Sequence, residues 1–236
     1  MDKITINYDN DETEMYVYSI KSDYVSTMIK CHSNFYEHGL LSFIKNNFPS
    51  QKNIIDIGAN IGNHSLFFAK YMNCNHVFSF EPIDKNVVMF RNNLSNYTDK
   101  CTLFVNALSD KNGKMVLYNS EYENFGGFSL YKQEKSFEVL NEIDVVKLDD
   151  FNLTDVTLIK IDVENHENEV LRGGMKTILK NKPIVVLENS YYYFSHIFPN
   201  PNPHADVFQE LGYVKLHSNV CNSSMDIWGP IDVETP

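Results

Sequence analysis

The 236-residue chain is short of positive charge: 20 Lys and Arg stand against 31 Asp and Glu, a formal net charge of −11. An acidic surface repels phosphate backbones unless a local basic stripe offsets it. The densest basic group, Lys176, Lys180 and Lys182, reads as the solvated face of a helix, so nucleic acid is not an expected partner. Cysteine is scarce as well. Cys31, Cys74, Cys101 and Cys221 lie too far apart in sequence for a zinc knuckle or a redox pair, and they read as reduced thiols. No run approaches the ~20 apolar residues of a membrane-spanning helix. The start, Met1-Asp2-Lys3-Ile4-Thr5, lacks the apolar stretch of a signal peptide, and a cytoplasmic location is expected. There is no Pro/Gly/Ser-rich linker, repeat or low-complexity tract. With 43% hydrophobic residues, the expectation is one domain over residues 1–236, with an extension at 1–50 and a core at 51–236.

The hydrophobic pattern supplies the elements. Ile4, Ile6 and Tyr8, then Met15, Val17, Tyr18 and Ile20, flank the turn residues Asp9-Asn10-Asp11, which predicts a β-hairpin. An apolar face from Phe35 to Phe48 predicts a helix ended by Pro49-Ser50. From residue 53 short apolar strands alternate with helices: strands at Asn53–Ile57, Val77–Phe80, Thr102–Val105, Thr157–Ile161 and Ile184–Leu187, and helices at Gly62–Tyr71, Asp84–Asn96 and Asn168–Leu179. That rhythm means βαβ units, a mostly parallel sheet and helices on both faces. Lys114–Tyr118, Phe128–Tyr131 and Ile143–Leu148 read as added strands, Asp206–Leu211 as a helix, and Tyr213–Leu216 with Met225–Trp228 as a closing hairpin at the sheet edge.

Ligands of such sheets bind beyond the carboxyl ends of the strands, so the residues just after each strand carry the chemistry. The first parallel strand runs into Asp56-Ile57-Gly58-Ala59-Asn60-Ile61-Gly62. Its glycines are four apart, and Asn60 stands where a dinucleotide fingerprint has its second glycine. That disfavours a nicotinamide or nucleotide-sugar enzyme. Glu81, after the second strand, is a carboxylate placed to accept hydrogen bonds from a ribose diol, a device dinucleotide folds share. Asn106 and Ala107 follow the third strand. The fourth ends in Lys160-Ile161-Asp162-Val163-Glu164-Asn165-His166-Glu167, and the fifth in Leu187-Glu188-Asn189. Like charges so close cost energy unless a task or a cation balances them, although helix N-terminal charge accounts equally well for Glu164 and Glu167.

The segments "NIIDIGANIGNHSLFFAK", "VFSFEPIDKNVVMFRNNLSNY", "VNALSDKNGKMVLY", "VVKLDDF", "LIKIDVENHENEVLRGGMKTIL" and "KPIVVLEN", in this order from residue 53 to 189, resemble the FkbM family of S-adenosylmethionine-dependent methyltransferases. The resemblance implies the class I methyltransferase fold, a Rossmann-like three-layer α/β sandwich with a mostly parallel seven-stranded sheet whose last strand is antiparallel. It also implies O-methylation of a sugar, glycan or related small-molecule hydroxyl, with S-adenosylhomocysteine as product. By resemblance Asp56, Gly58 and Asn60, with Gly62, hold the methionine part of the cofactor, Glu81 its ribose, and Asn106 and Ala107 its adenine, while Asp162 faces the methyl-transfer site. Asn165 stands where the family has glycine, and the placement of His166 depends on that turn surviving.

A sugar hydroxyl attacks well only as its proton leaves, so a general base helps. His166 or Asp162 is the expected base, with Glu188 as alternative. A divalent ion on Asp162, Glu188 and Asn189 is the less favoured reading. Tyr191, Tyr192 and His204, with Tyr193, Phe194 and Phe198, form one candidate acceptor wall; Tyr122, Phe125 and Phe128 around Gly126-Gly127 form another. Acceptors other than sugars (a lipid, a peptide, another metabolite) and a non-catalytic cofactor-binding module are the alternatives, and a homodimer is compatible with the sequence.

Overall fold

The computed structural model describes residues 1–19, 23–118, 139–191, 200 and 202–231. The chain begins with β1 (Asp2–Tyr8) and β2 (Asp11–Val17), followed by α1 (Tyr24–His32) and α2 (His38–Asn47). The core then runs β3 (Asn53–Ile57), α3 (Asn63–Tyr71), β4 (His76–Phe80), α4 (Asp84–Asn93) and β5 (Cys101–Phe104). After β6 (Ala107–Leu108), β7 (Gly113–Tyr118) and β8 (Val139–Val146) it resumes with β9 (Val156–Ile161), α5 (Glu167–Gly173), α6 (Met175–Asn181) and β10 (Ile184–Glu188). It ends with α7 (Ala205–Glu210), β11 (Tyr213–His217) and β12 (Met225–Pro230).

The main sheet has the order β11-β12-β10-β9-β3-β4-β5. All neighbours from β10 to β5 are parallel, and β12 is antiparallel to both β10 and β11. The expected closing pair exists, but the last strand lies inside the edge, between β10 and β11. The order reverses at β3, and a ligand crevice belongs at such a switch point. Helices cover both faces over two apolar clusters. One joins Ile54, Phe67, Phe68 and Val77 to Ile6, Met15, Phe35 and Leu41 of the extension; the other holds Ile55, Phe80, Ile159, Phe208 and Trp228. Fully burying a side chain of this size contributes roughly 1.5–3 kcal/mol.

The hairpin forms as its alternation predicts, with Asp9 and Asn10 both left-handed in a two-residue turn. It makes its own two-stranded sheet and is fastened by Asn93 of α4, which accepts from Tyr16 N at 2.6 Å and donates to Tyr16 O at 3.0 Å and Ile61 O at 2.7 Å.

Several expected boundaries change for identifiable reasons. Helix α1, which the apolar pattern misses, starts at the N-cap Asp23, whose carboxylate accepts from Ser26 N. The helix expected from Phe35 starts only at His38, because the Asn63 side chain grips both Tyr36 N and Tyr36 O and holds that link out of the helix. The helix expected over Asn168–Leu179 breaks at Gly174, where Asp149 accepts from Lys176 N and Thr177 N and starts a new helix, α6. Helix α4 ends at Asn93 and passes into a 3₁₀ turn at Ser95–Tyr97. Strands β6, β8 and β7 form a separate three-stranded sheet, while the strand expected at Phe128–Tyr131 lies outside the described residues. Among the described residues no helix is long and apolar enough to cross a membrane.

Candidate functional site

The loop after β3 is held at its base from both neighbours. Gly58 N and Ala59 N donate to Phe80 O on β4, and Asp162 N, just past β9, donates to Ile57 O. Gly58 has φ +76, and a Cβ there would lie 1.8 Å from the Asp162 carbonyl oxygen. The position therefore excludes a side chain both by conformation and by space. Asn60 is left-handed at φ 50, which asparagine tolerates better than most residues.

A cavity opens above this loop, and residues after five strands reach it: Gly58, Ala59 and Asn60; Glu81; Asn106 and Ala107; Asp162, Glu164 and His166; Glu188. The sequence-predicted residues thus converge, with exceptions. Asp56 is fully buried beneath the loop, where it accepts from Ser65 Oγ and pairs with Lys160. Gly62 starts α3 and packs against Leu94 and Phe90. His204 is buried and bonded to Asn168 through Nδ1, with burial pushing its pKa down to about 4; it holds α7 rather than lining the cavity. Tyr191 follows β10, its N–H donating to Asn189 Oδ1, and it too is not among the lining residues. Tyr192, Tyr193, Phe194, Phe198, Tyr122, Phe125, Gly126, Gly127 and Phe128 lie outside the described residues.

The two sides of the loop differ electrostatically. On the β4 side, Glu81 accepts from Asn60 N at 2.8 Å, Ile83 N at 2.9 Å and Asn86 Nδ2 at 3.3 Å. Burial still pushes its pKa up to about 7, against those bonds. On the β9 side carboxylates crowd. Burial first, then the charges of Asp162 and Glu167, push Glu164 up to about 8. Burial and the charges of Asp162, Glu164 and Glu167 push Glu188 well above the usual carboxylate range. Glu188 Oε1 accepts from Ser224 Oγ, while Oε2 is shielded and has no hydrogen-bond partner among the described residues.

Lys160, a residue that motif reading passes over, organises this side. It is 2% exposed, and its Nζ donates to Gly58 O at 3.0 Å and lies 3.5 Å from both Asp56 and Asp162. Burial opposes its charge, but Asp162 and Asp56 outweigh that and hold it above the ordinary lysine value. A lysine inside the apolar strand Val156–Ile161 was the available signal.

The turn before His166 survives its asparagine. Asn165 sits at φ 74, its N–H donating to Glu167 Oε1 and its side-chain oxygen accepting from Ser190 Oγ. His166 reaches the cavity wall but is 2% exposed, with Nε2 hydrogen-bonded to Ser109 Oγ at 3.0 Å. Burial lowers its pKa. Asn189 turns away, donating to Asp226, so Asp162, Glu188 and Asn189 do not face one ion. Among the described residues no three His, Cys, Asp or Glu side chains form a metal-binding group.

The extension supplies part of the wall: Tyr24, Val25, Tyr36 and Glu37 line the cavity with Asn63 and His64 of α3. Of the buried side-chain atoms without a hydrogen-bond partner among the described residues, Glu37 Oε2, Asn60 Oδ1, His64 Nε2 and Glu188 Oε2 all belong to lining residues. Buried polar groups are normally satisfied, so this concentration fits a polar ligand that supplies the partners.

Comparison with known proteins finds similar chains. At 28% identity over 55% of this chain and 60% of the relative, the sequence is similar to 2-O-methyltransferase NoeI of Sinorhizobium fredii. At 26% identity over 53% of this chain and 59% of the relative, it is similar to Methyltransferase 1 of Beauveria bassiana. The matches thus span about three fifths of these relatives' length. The crystal structure of a methyltransferase FkbM from Methylobacillus flagellatus superposes with a TM-score of 0.53 at 17% identity, over 76% of this chain and 43% of that one, a likeness of fold. The sequence model of the methyltransferase FkbM domain matches residues 56–215, from the loop carboxylate Asp56 to Lys215 on β11. The chain belongs to the FkbM methyltransferase domain family.

Proposed function

We propose that the protein transfers a methyl group from S-adenosylmethionine to a hydroxyl oxygen of a sugar, glycan or related small molecule. The observation that carries this reading is the pair of carboxylates, Asp162 and Glu188, at adjacent strand ends on one cavity wall, beside the β3 loop and the buried carboxylate Glu81. The similarity to a protein named a 2-O-methyltransferase supports oxygen as the acceptor atom.

In this reading Glu81 takes the ribose hydroxyls, and Asn106 and Ala107 border the adenine. The bound cofactor supplies an electrophilic methyl group on a sulfonium. The chain's own task is to place the acceptor oxygen in line and accept its proton. Glu188 suits that proton transfer better than His166. Glu188 lines the cavity, and its Oε2 has no hydrogen-bond partner among the described residues; burial and its acidic neighbours raise its proton affinity, and the positive charge of a bound sulfonium would favour the ionised form that accepts the proton. His166 is engaged by Ser109. Asp162, 26% exposed and paired with Lys160, orients the acceptor. The test is incubation with cofactor labelled in its methyl group and a panel of nucleotide sugars, glycans, lipids and amines. Label in an acid-stable ether on a sugar is expected; label on nitrogen alone, or none transferred, overturns the reading.

A further inference from the structure

We propose that Glu37 and His64 form the subsite for the charged amino-acid end of the cofactor, with His64 facing its carboxylate and Glu37 its ammonium. This rests on the cofactor reading above and extends it to two residues outside the expected methionine loop.

Placement comes first. Glu81, Asn106 and Ala107 lie past β4 and β5, on one side of the β3 loop. If they take ribose and adenine, the rest of the cofactor extends toward β9 and β10. Glu37 lies near that side, close enough for its charge to act on both Lys160 and Glu188.

The chemistry of the pair is unusual for a structural ion pair. Glu37 Oε2 and His64 Nε2 are 3.2 Å apart, and the side chains are 8% and 7% exposed. Neither atom makes an aligned hydrogen bond to the other or to anything else among the described residues. On the cavity wall, a carboxylate oxygen and a ring nitrogen, each without an aligned hydrogen bond among the described residues, stand side by side, an arrangement that suits the ammonium and carboxylate of an amino acid. Asn60 Oδ1, also without a hydrogen-bond partner among the described residues and on a lining residue, is a second acceptor for an ammonium.

The backbone supports the assignment. His64 is the second residue of α3, a nine-residue helix with no acidic residue in its first turn and no side-chain cap. Its first N–H groups carry partial positive charge and favour a carboxylate. Glu37 is held in the left-handed region at φ 54, a conformation costing a non-glycine residue on the order of 1–3 kcal/mol. The Asn63 clamp on both polar groups of Tyr36, one residue earlier, fixes it there. The loop, the helix start and the extension thus meet at one point.

The test uses calorimetric binding of S-adenosylhomocysteine and of 5′-methylthioadenosine, which keeps the nucleoside and sulfur but lacks the amino-acid end. Glu37→Gln and His64→Gln are each expected to weaken S-adenosylhomocysteine at least ten-fold and leave methylthioadenosine within two-fold. The retained methylthioadenosine binding also reports an intact fold. If Glu37→Gln does not fold, Glu37→Asp, which withdraws the carboxylate, is read the same way. Equal weakening of both ligands, or unchanged S-adenosylhomocysteine affinity, overturns the subsite and leaves the cofactor reading standing. Absence of S-adenosylhomocysteine binding to the unaltered protein overturns both.

Discussion

The two sides of the β3 loop handle buried carboxylates in opposite ways. On the β4 side, both oxygens of Glu81 are already partnered by Asn60 N, Ile83 N and Asn86. Asn86 in turn accepts from Tyr18 O–H of the extension at 2.8 Å. On the β9 side, burial and the charges of Asp162 and Glu167 raise the affinity of Glu164 and Glu188 for protons, and the buried cation beside them, Lys160, is shared between Asp56 and Asp162. A carboxylate locked by neutral donors is pre-organised to add hydrogen bonds from neutral hydroxyls. Carboxylates crowded without enough donors are set to take a proton or a cation. The contrast matches a site with a passive nucleoside half and a reactive half.

The sharpest way to break this comparison is to neutralise the reactive half. Glu188→Gln is expected to lower turnover by about 10²–10⁴, the range for loss of a general base, with S-adenosylhomocysteine affinity within a few-fold by calorimetry. Near-normal turnover would return the base role to Asp162 or His166. Next in size is removal of the shared cation. Lys160→Met leaves Asp56 buried without its partner. Because the 3.5 Å separations are long, the low end of the range for broken buried pairs applies, about 3 kcal/mol, or roughly 6–12 °C in melting temperature. A melting temperature within about 2 °C of the parent would show that Lys160 serves the ligand alone.

On the passive side, Glu81→Gln is expected to weaken S-adenosylhomocysteine and methylthioadenosine alike, about ten- to a hundred-fold, by the size of hydrogen bonds to a charged group. Unequal loss would move the residue off the ribose. The smallest effect is on stability against pH. Glu164 and Glu188 bind protons in the folded chain at pH values where the unfolded chain has released them, so stability falls as pH rises toward their raised values, about 8 for Glu164. His204, lowered to about 4, acts in the opposite sense below its ordinary value of 6.5. The clean window therefore lies between about pH 6.5 and about pH 8. There the melting temperature of the ligand-free protein is expected to fall, and to fall less in Glu188→Gln.

The parallel strands were legible because each is an apolar run bounded by turn residues. Asn53–Ile57 has the predicted limits, and Thr157–Ile161 and Ile184–Leu187 each gain one residue. The helices were less so. Asn63 and Asp149 decide where α2 and α6 start by hydrogen bonds spanning 27 and 28 residues of sequence, and no local pattern reports such partners. Positions just past strand ends marked Glu81, Asn106, Asp162 and Glu188. His204, expected in an acceptor wall from its aromatic and proline-rich surroundings, bonds Asn168 instead.

The sequence by itself determined the alternation of strands and helices, the glycine-bounded loop after the first parallel strand and the acidic residues at the strand ends, because these follow from local periodicity and turn chemistry. The tertiary structure decided which carboxylates are satisfied and which are not, that Asp56 lies under the loop against Lys160 rather than on the cavity, and that Glu37 and His64 meet across 27 residues at 3.2 Å. Burial and pairing depend on what the rest of the chain brings to a residue, and a side chain's charge and hydrogen bonds are settled only when those neighbours arrive.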